Sequence, residues 1–196
     1  PYGACNLGSI NLTRFVKQPF THNATFDYGR FASVTHTAIR FLDSIVEASN
    51  YPLDAQRAEA EAKRRVGLGI TGFADMLIMM GIPYSNGSYM ADEICKTLRH
   101  EAEAASADLG RSKGVYPAWD ASHGSKRRNS HLLSIAPTGT ISLFAGNISS
   151  GIEPVFDFVA KRKLLRRDFS HDEVEVKDYA FLQAENAGQF EVYKPP

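Results

Sequence analysis

Cysteine is scarce in this sequence: Cys5 and Cys95 are the only two in 196 residues. That excludes a disulfide-rich scaffold and a multi-cysteine zinc site, and it suits a reducing, cytoplasmic compartment. No metal centre is expected. Net charge is also missing, because Lys+Arg and Asp+Glu both number 22. Without a global field the chain is not expected to bind nucleic acid or an anionic membrane surface. No apolar run approaches the length of a membrane span, and no signal peptide precedes Pro1. The Asn-x-Ser/Thr triplets at Asn11, Asn23, Asn86 and Asn147 therefore carry little weight. Internal repeats and low-complexity tracts are absent. So is an initiator methionine, and the opening Pro-Tyr-Gly-Ala-Cys reads as the middle or end of something longer. A hydrophobic share of 43% is ordinary and allows one large domain or two small ones.

Among what is present, one stretch organises the rest. Leu132-Leu133-Ser134-Ile135 is an apolar run that meets Ala136-Pro137-Thr138-Gly139-Thr140-Ile141-Ser142. The pattern predicts a buried strand, a tight turn and the start of a helix. Pro137 gives up an N–H, and Gly139 lets a backbone approach a ligand closely. Thr138, Thr140 and Ser142 add hydroxyls beside the free N–H groups of a helix start, where partial positive charge favours an anion. Such a turn suits phosphate, although strand–turn–helix joints of this composition also serve structure alone. Lys126-Arg127-Arg128 stands ahead of it as a possible attractor of phosphate, and Lys161-Arg162-Lys163 with Arg166-Arg167 reads as a solvated basic face.

The remaining segments give an α/β outline. Residues 4–12 fit a short strand or an irregular buried segment, with small Gly3, Ala4 and Gly8 around Cys5. Phe31, Val34, Ala38, Phe41, Leu42, Ile45 and Val46 predict an amphipathic helix over 28–49. His36 within it reads as a surface or satisfied residue. Asp54 is placed as the cap of a second helix running to about Arg65. An apolar helix over 73–80 has Met76, Met79 and Met80 as core filler, and a long helix is expected over 86–113 with Cys95 as a structural residue. Val115 to Trp119 forms an aromatic loop. A strand is expected to open out of 147–156, another spans 158–165, and 173–185 reads as a short helix.

Gly67-Leu68-Gly69-Ile70-Thr71-Gly72 matches Gly-x-Gly-x-x-Gly. A dinucleotide fingerprint must follow a buried strand, whereas here a charged helical stretch precedes it. A helix start packed through its glycines is the preferred reading. A nicotinamide-dependent oxidoreductase using Gly67, Gly69 and Gly72 stays as an alternative. So does a non-catalytic nucleotide-binding module.

Four segments, in this order and spacing, resemble one family. Ala-Cys-Asn-Leu-Gly-Ser-Ile-Asn-Leu (4–12), Lys-Arg-Arg-Val-Gly-Leu-Gly-Ile-Thr-Gly-Phe-Ala-Asp (63–75), Ser-Ile-Ala-Pro-Thr-Gly-Thr-Ile-Ser (134–142) and Gly-Ile-Glu-Pro-Val-Phe (151–156) look like the large catalytic chain of ribonucleotide reductases. The wording is closest to the class II, adenosylcobalamin-dependent branch.

The resemblance implies the C-terminal part of a ten-stranded α/β barrel, with a finger loop threaded through its centre. It implies thiyl-radical reduction of a ribonucleoside di- or triphosphate to the deoxyribonucleotide, with a cysteine pair supplying two electrons. Cys5 matches the second cysteine of that pair, and Ala136 to Ser142 match the loop that holds the substrate phosphates. The radical cysteine in Asn-x-Cys-x-Glu and the first redox cysteine would lie ahead of Pro1, so this chain alone is expected to be inactive. Implied partners are a thioredoxin-type reductant and the N-terminal part of the enzyme, and a homodimer is allowed. Adenosylcobalamin would be held mainly outside these residues.

Overall fold

A computed structural model describes residues 2–167 and 169–188; the terminal Pro195-Pro196 lies outside them. The chain forms two compact units. The first takes residues 1–10, 27–70 and 88–136, and the second 11–26, 71–87 and 137–196.

In the first unit, α1 (Tyr28–Ala48) packs against α4 (Ser88–Lys113). Asp27 caps α1 by accepting from Arg30 N at 3.0 Å. Phe31, Ile39, Leu42 and Val46 form its buried stripe, and Ile94, Leu98 and Leu109 answer from α4. Phe41, expected on that stripe, is 65% exposed, because it falls on the helix's outer flank. Cys95 likewise sits on the exposed side of α4 and not in the core. The second helix, α2 (Asp54–Lys63), opens on Asp54 itself: Leu53 occupies the cap position and provides no side-chain bond. Arg64 ends α2 in the left-handed conformation at φ 46°. The first unit's remaining helical residues include a short turn over Ala121–His123.

The glycine motif differs from expectation. Gly67 and Gly69 belong to a fully buried strand, β4 (Val66–Thr71), and the following helix, α3 (Phe73–Met79), begins only after Gly72. The first strand, β1 (Asn6–Asn11), pairs with β4. On β4's other edge runs the extended segment 131–134, parallel to it, with Val66 N donating to His131 O and Leu68 N to Leu132 O at 3.1 and 2.8 Å. Glycine is a poor strand former unless another chain comes very close. Here it does: a Cβ on Gly69 would stand 2.2 Å from Ser134 O, and one on Gly67 2.6 Å from Leu7 Cδ2. Gly69→Ala is therefore expected to cost about 1–3 kcal/mol, as overpacking does. A melting temperature equal to the parent's would show that 131–134 can simply move away. Segment 131–134 makes only that one isolated bridge, and only Leu132 is buried; Leu133 and Ile135 face outward. The buried strand expected there is thus a one-faced extended segment.

The second unit holds α3, the small antiparallel pair β2 (Val16–Lys17) and β3 (Thr25–Phe26), the helix α5 (Gly139–Phe144), the hairpin β5 (Val159–Leu165) and β6 (His171–Lys177), and α6 (Tyr179–Asn186). Phe20, Met79, Ala180 and Ala184 form one core cluster, and Met76 is fully buried. No strand opens out of 147–156, where turns and bends run on to Phe158. The helix expected over 173–185 is half strand. His-Asp-Glu-Val-Glu-Val-Lys alternates with period two and pairs with β5, and α6 starts only after Asp178.

Candidate functional site

Cys5 lies in the first unit, just ahead of β1, and its thiol is free and exposed. It sits over Gly67, where a Cβ would come within 3.5 Å of its Sγ. The absent side chain leaves room beside the sulfur, as a thiol that meets a partner needs. Partial burial pushes the thiol's pKa up, while the Arg65 guanidinium pulls it down, and burial wins. The resting thiol is accordingly protonated at neutral pH, a state suited to a stored electron pair more than to unprompted nucleophilic attack.

The turn lies in the second unit from Pro137 onward; Ala136 closes the first. Its left-handed residue is Thr138, at φ 56°, and not Gly139. Thr138 is buried. Its Oγ1 lies 2.9 Å from Thr71 Oγ1 and accepts from Gly151 N at 2.7 Å. That hydroxyl ties the turn to two other segments and is turned away from any ligand. Ser142 N donates to Thr138 O at 2.8 Å, closing the first helical bond, so the N–H groups of Gly139, Thr140 and Ile141 have no intrahelical acceptor. Ser142 Oγ donates to Gly139 O at 2.8 Å and stands 3.1 Å from Ser150 Oγ. A Cβ on Gly139 would meet nothing within 4 Å.

Gly139, Thr140 and Ser142 border a cleft of about 510 Å³, within the size range of small-molecule sites. Arg162, Glu153, Asp157 and Asp178 also line it. Arg162 has no ion-pair partner among the described residues. Helix-start N–H groups and a guanidinium suit a phosphate, and carboxylates suit sugar hydroxyls. Ala160 and Arg162 share one face of β5, with Val176 across on β6, so the alternation of the hairpin delivers the cation to the cleft. Sequence reading took Arg162 for part of a solvated face. The period-two pattern around it was the signal that could have found it.

Asp178, also unforeseen, forms a pair with Asp75. Asp75 is fully buried; its Oδ2 accepts from Ser149 N at 2.6 Å and its Oδ1 from Ala180 N at 3.0 Å. Asp178 caps α6 by accepting from Phe181 N at 3.1 Å. Burial first, and the Asp75 charge second, push the Asp178 pKa up to about 7.

Each residue of the basic triplet has a partner within the first unit. Lys126 lies over the Trp119 ring, and Arg127 donates to Ser130 O. Arg128 is 3.0 Å from Glu47 and 3.5 Å from Asp43. All three sit in the first unit. Among the described residues no cluster of His, Cys, Asp and Glu is arranged to hold a metal, and no helix is long and apolar enough to cross a membrane.

The sequence matches the family described as "Ribonucleotide reductase, barrel domain" over residues 1–128 and 123–185. It is similar to a vitamin B12-dependent ribonucleoside-diphosphate reductase of Thermoplasma acidophilum, with 40% identity over 84% of this chain and 22% of that protein. The corresponding reductase of Mycobacterium tuberculosis is 38% identical over 85% of this chain and 24% of its own length. A ribonucleoside-diphosphate reductase large subunit of Caenorhabditis elegans is 29% identical over 84% of this chain and 24% of its own. The chain thus spans about a quarter or less of these relatives. The mixed helices and strands are those of an α/β fold, and the described residues by themselves close no barrel. On the family match over nearly its whole length, this chain belongs to the ribonucleotide reductase barrel-domain family.

Proposed function

We propose that the chain is part of the catalytic barrel of a ribonucleoside-diphosphate reductase that makes deoxyribonucleotides for DNA synthesis. In this reading the turn from Ala136 to Ser142 seats the substrate phosphates, and Cys5 is one of two cysteines that deliver electrons. The observation that carries it is the cleft at Gly139, Thr140 and Ser142, where helix-start N–H groups and Arg162 border an open space that any side chain on Gly139 would occupy. In this reading the donors to phosphate are the backbone of 139–141 and the Thr140 hydroxyl, and the internal hydrogen bonds of Thr138 and Ser142 support a shape-holding role for those two.

Two thiols lose two protons and two electrons as their disulfide forms; the ribonucleotide takes them up as its C2′–O bond breaks, a C2′–H bond forms and the hydroxyl leaves as water. An external dithiol of thioredoxin type then restores the pair by exchange. The other cysteine of the pair and the radical cysteine are assigned to other parts of the enzyme. Relatives named vitamin B12-dependent support cobalamin as the cofactor; its adenosyl form, as the radical source, is part of this reading. The residues here do not fit that group. Clefts of about 510 and 400 Å³ suit a ligand of drug size, not a corrin several times larger, so its binding belongs outside the described residues.

The test is Cys5→Ser in the full-length enzyme. The hydroxyl is nearly the same size but forms no disulfide, so multiple turnover with a dithiol reductant should stop while radical formation continues. Steady deoxynucleotide production by that variant would make Cys5 a bystander and remove the electron-donor role. The nicotinamide alternative has lost its structural premise, because Gly67 and Gly69 lie within the strand instead of following it.

A further inference from the structure

The described part of the second unit contains one buried pair of acidic groups without a cation. Asp75 is the only titratable residue of α3, and its two oxygens are taken by the N–H groups of Ser149 and Ala180. Asp178 is 5% exposed, lies two residues before Ala180, and accepts from Phe181 N. Both carboxyl groups therefore meet at the first turn of α6. Among the described residues neither forms an ion pair. Lys177, the adjacent cation, is held by Glu185 at 2.8 Å, and Arg162, Glu153 and Asp157 are the charged groups lining the neighbouring cleft. The loop 147–151 and Tyr179 bring no charge to the pair. Two like charges this close and this dry cannot both persist, and a proton held between them removes the conflict.

We propose that Asp75 and Asp178 are positioning residues that share one proton, and that this proton pins the Ser149 loop and α6 onto α3 while sparing the wall of the phosphate cleft one further negative charge. The arrangement connects two jobs. Asp75 fixes Ser149, which borders the cleft together with Ser150, and Ser150 stands against Ser142 of the turn. Asp178 is itself part of the cleft lining. Loss of the proton would put a third carboxylate beside Glu153 and Asp157, facing an incoming anion. The raised pKa of Asp178, about 7, agrees with the geometry and places the change near neutral pH. The effect on the cleft rests on the phosphate-seat reading above; the shared proton does not.

Two measurements separate these. First, the carboxyl carbon shifts of Asp75 and Asp178 are followed by NMR from pH 4 to 9 in the full chain, without ligand. One of the two should stay protonated to near pH 7, and ionisation of both below pH 5 would overturn the proposal. Second, sulfate, whose charge is constant over this range, is titrated at pH 5.5 and 8.5. Its affinity should fall roughly ten-fold at the higher pH in the parent and stay level in Asp178→Asn, which mimics the neutral acid. An equal loss in both proteins would overturn the cleft effect. Sulfate that binds at neither pH would instead sink the phosphate seat and leave the shared proton to be decided by the carbon shifts. Those shifts need no variant, so misfolding of Asp178→Asn would not protect the idea.

Discussion

Gly139→Val should abolish productive nucleotide binding in the full-length enzyme while leaving the fold's melting temperature close to the parent's. The reason is the unusual emptiness at this position. Beyond its own helix and chain neighbours, no atom of the described residues lies within 4 Å of where the side chain would begin, so the substitution meets no other segment there. The backbone there is ordinary helix start, because the left-handed burden falls on Thr138. Gly139 lines the cleft, so a branched side chain there is expected to reduce the space open to a ligand. Thr140→Ala removes one hydroxyl and should cost about 1.5–3 kcal/mol of binding, the value of a hydrogen bond to a charged group. A nucleoside lacking phosphates should bind the parent and both variants alike. Equal losses for nucleoside and nucleotide would make the turn a structural device only, and unchanged nucleotide binding in Gly139→Val would move the phosphate site elsewhere.

Asp43→Ala should destabilise the first unit by about 3–5 kcal/mol, the largest stability effect expected in the molecule. Asp43 is fully buried on α1, and Arg64 Nε donates to its Oδ1 at 2.9 Å. Asn129 Nδ2 donates to the same oxygen at 2.8 Å and to Arg64 O at 3.0 Å, while Ser106 Oγ on α4 donates to Asn129 Oδ1 at 2.9 Å. One carboxylate thus fastens α1, the end of α2, α4 and the segment that leads into 131–134. Truncation leaves a guanidinium that is only 5% exposed on its side chain with the half-exposed Glu47 as its remaining carboxylate partner. Urea unfolding should show the loss, and Asp43→Asn should recover part of it by keeping the acceptor. For contrast, removing the surface pair Arg57–Glu61 should change stability by under about 0.5 kcal/mol. A loss below about 1 kcal/mol for Asp43→Ala would mean that Arg64 escapes to water.

Much of this architecture could be read in advance. The helices expected over 28–49 and 86–113 are present as α1 and α4 with nearly those bounds. What escaped was set by neighbours distant in sequence. Gly67 and Gly69 look like strand breakers until β1 and 131–134 are seen pressing on β4 from both sides. Glu173 and Glu175 suggest helix by propensity, yet cross-strand partners Lys163 and Lys161 make them strand. Thr138 could not be told from Thr140 by composition; only the burial of one hydroxyl against Thr71 and Gly151 separates a brace from a donor. Asp75 and Asp178 stand 103 positions apart, and nothing local marks either as half of a pair.

A threonine held at φ 56° is an expensive choice, roughly 1–3 kcal/mol above a relaxed backbone. The two bonds of its hydroxyl keep it there before any ligand arrives. The disorder that a flexible loop would surrender upon binding has therefore already been removed during folding. Whatever anion enters the cleft meets a rim whose N–H groups are already set in a helix start, and little of its contact energy is diverted into ordering the protein.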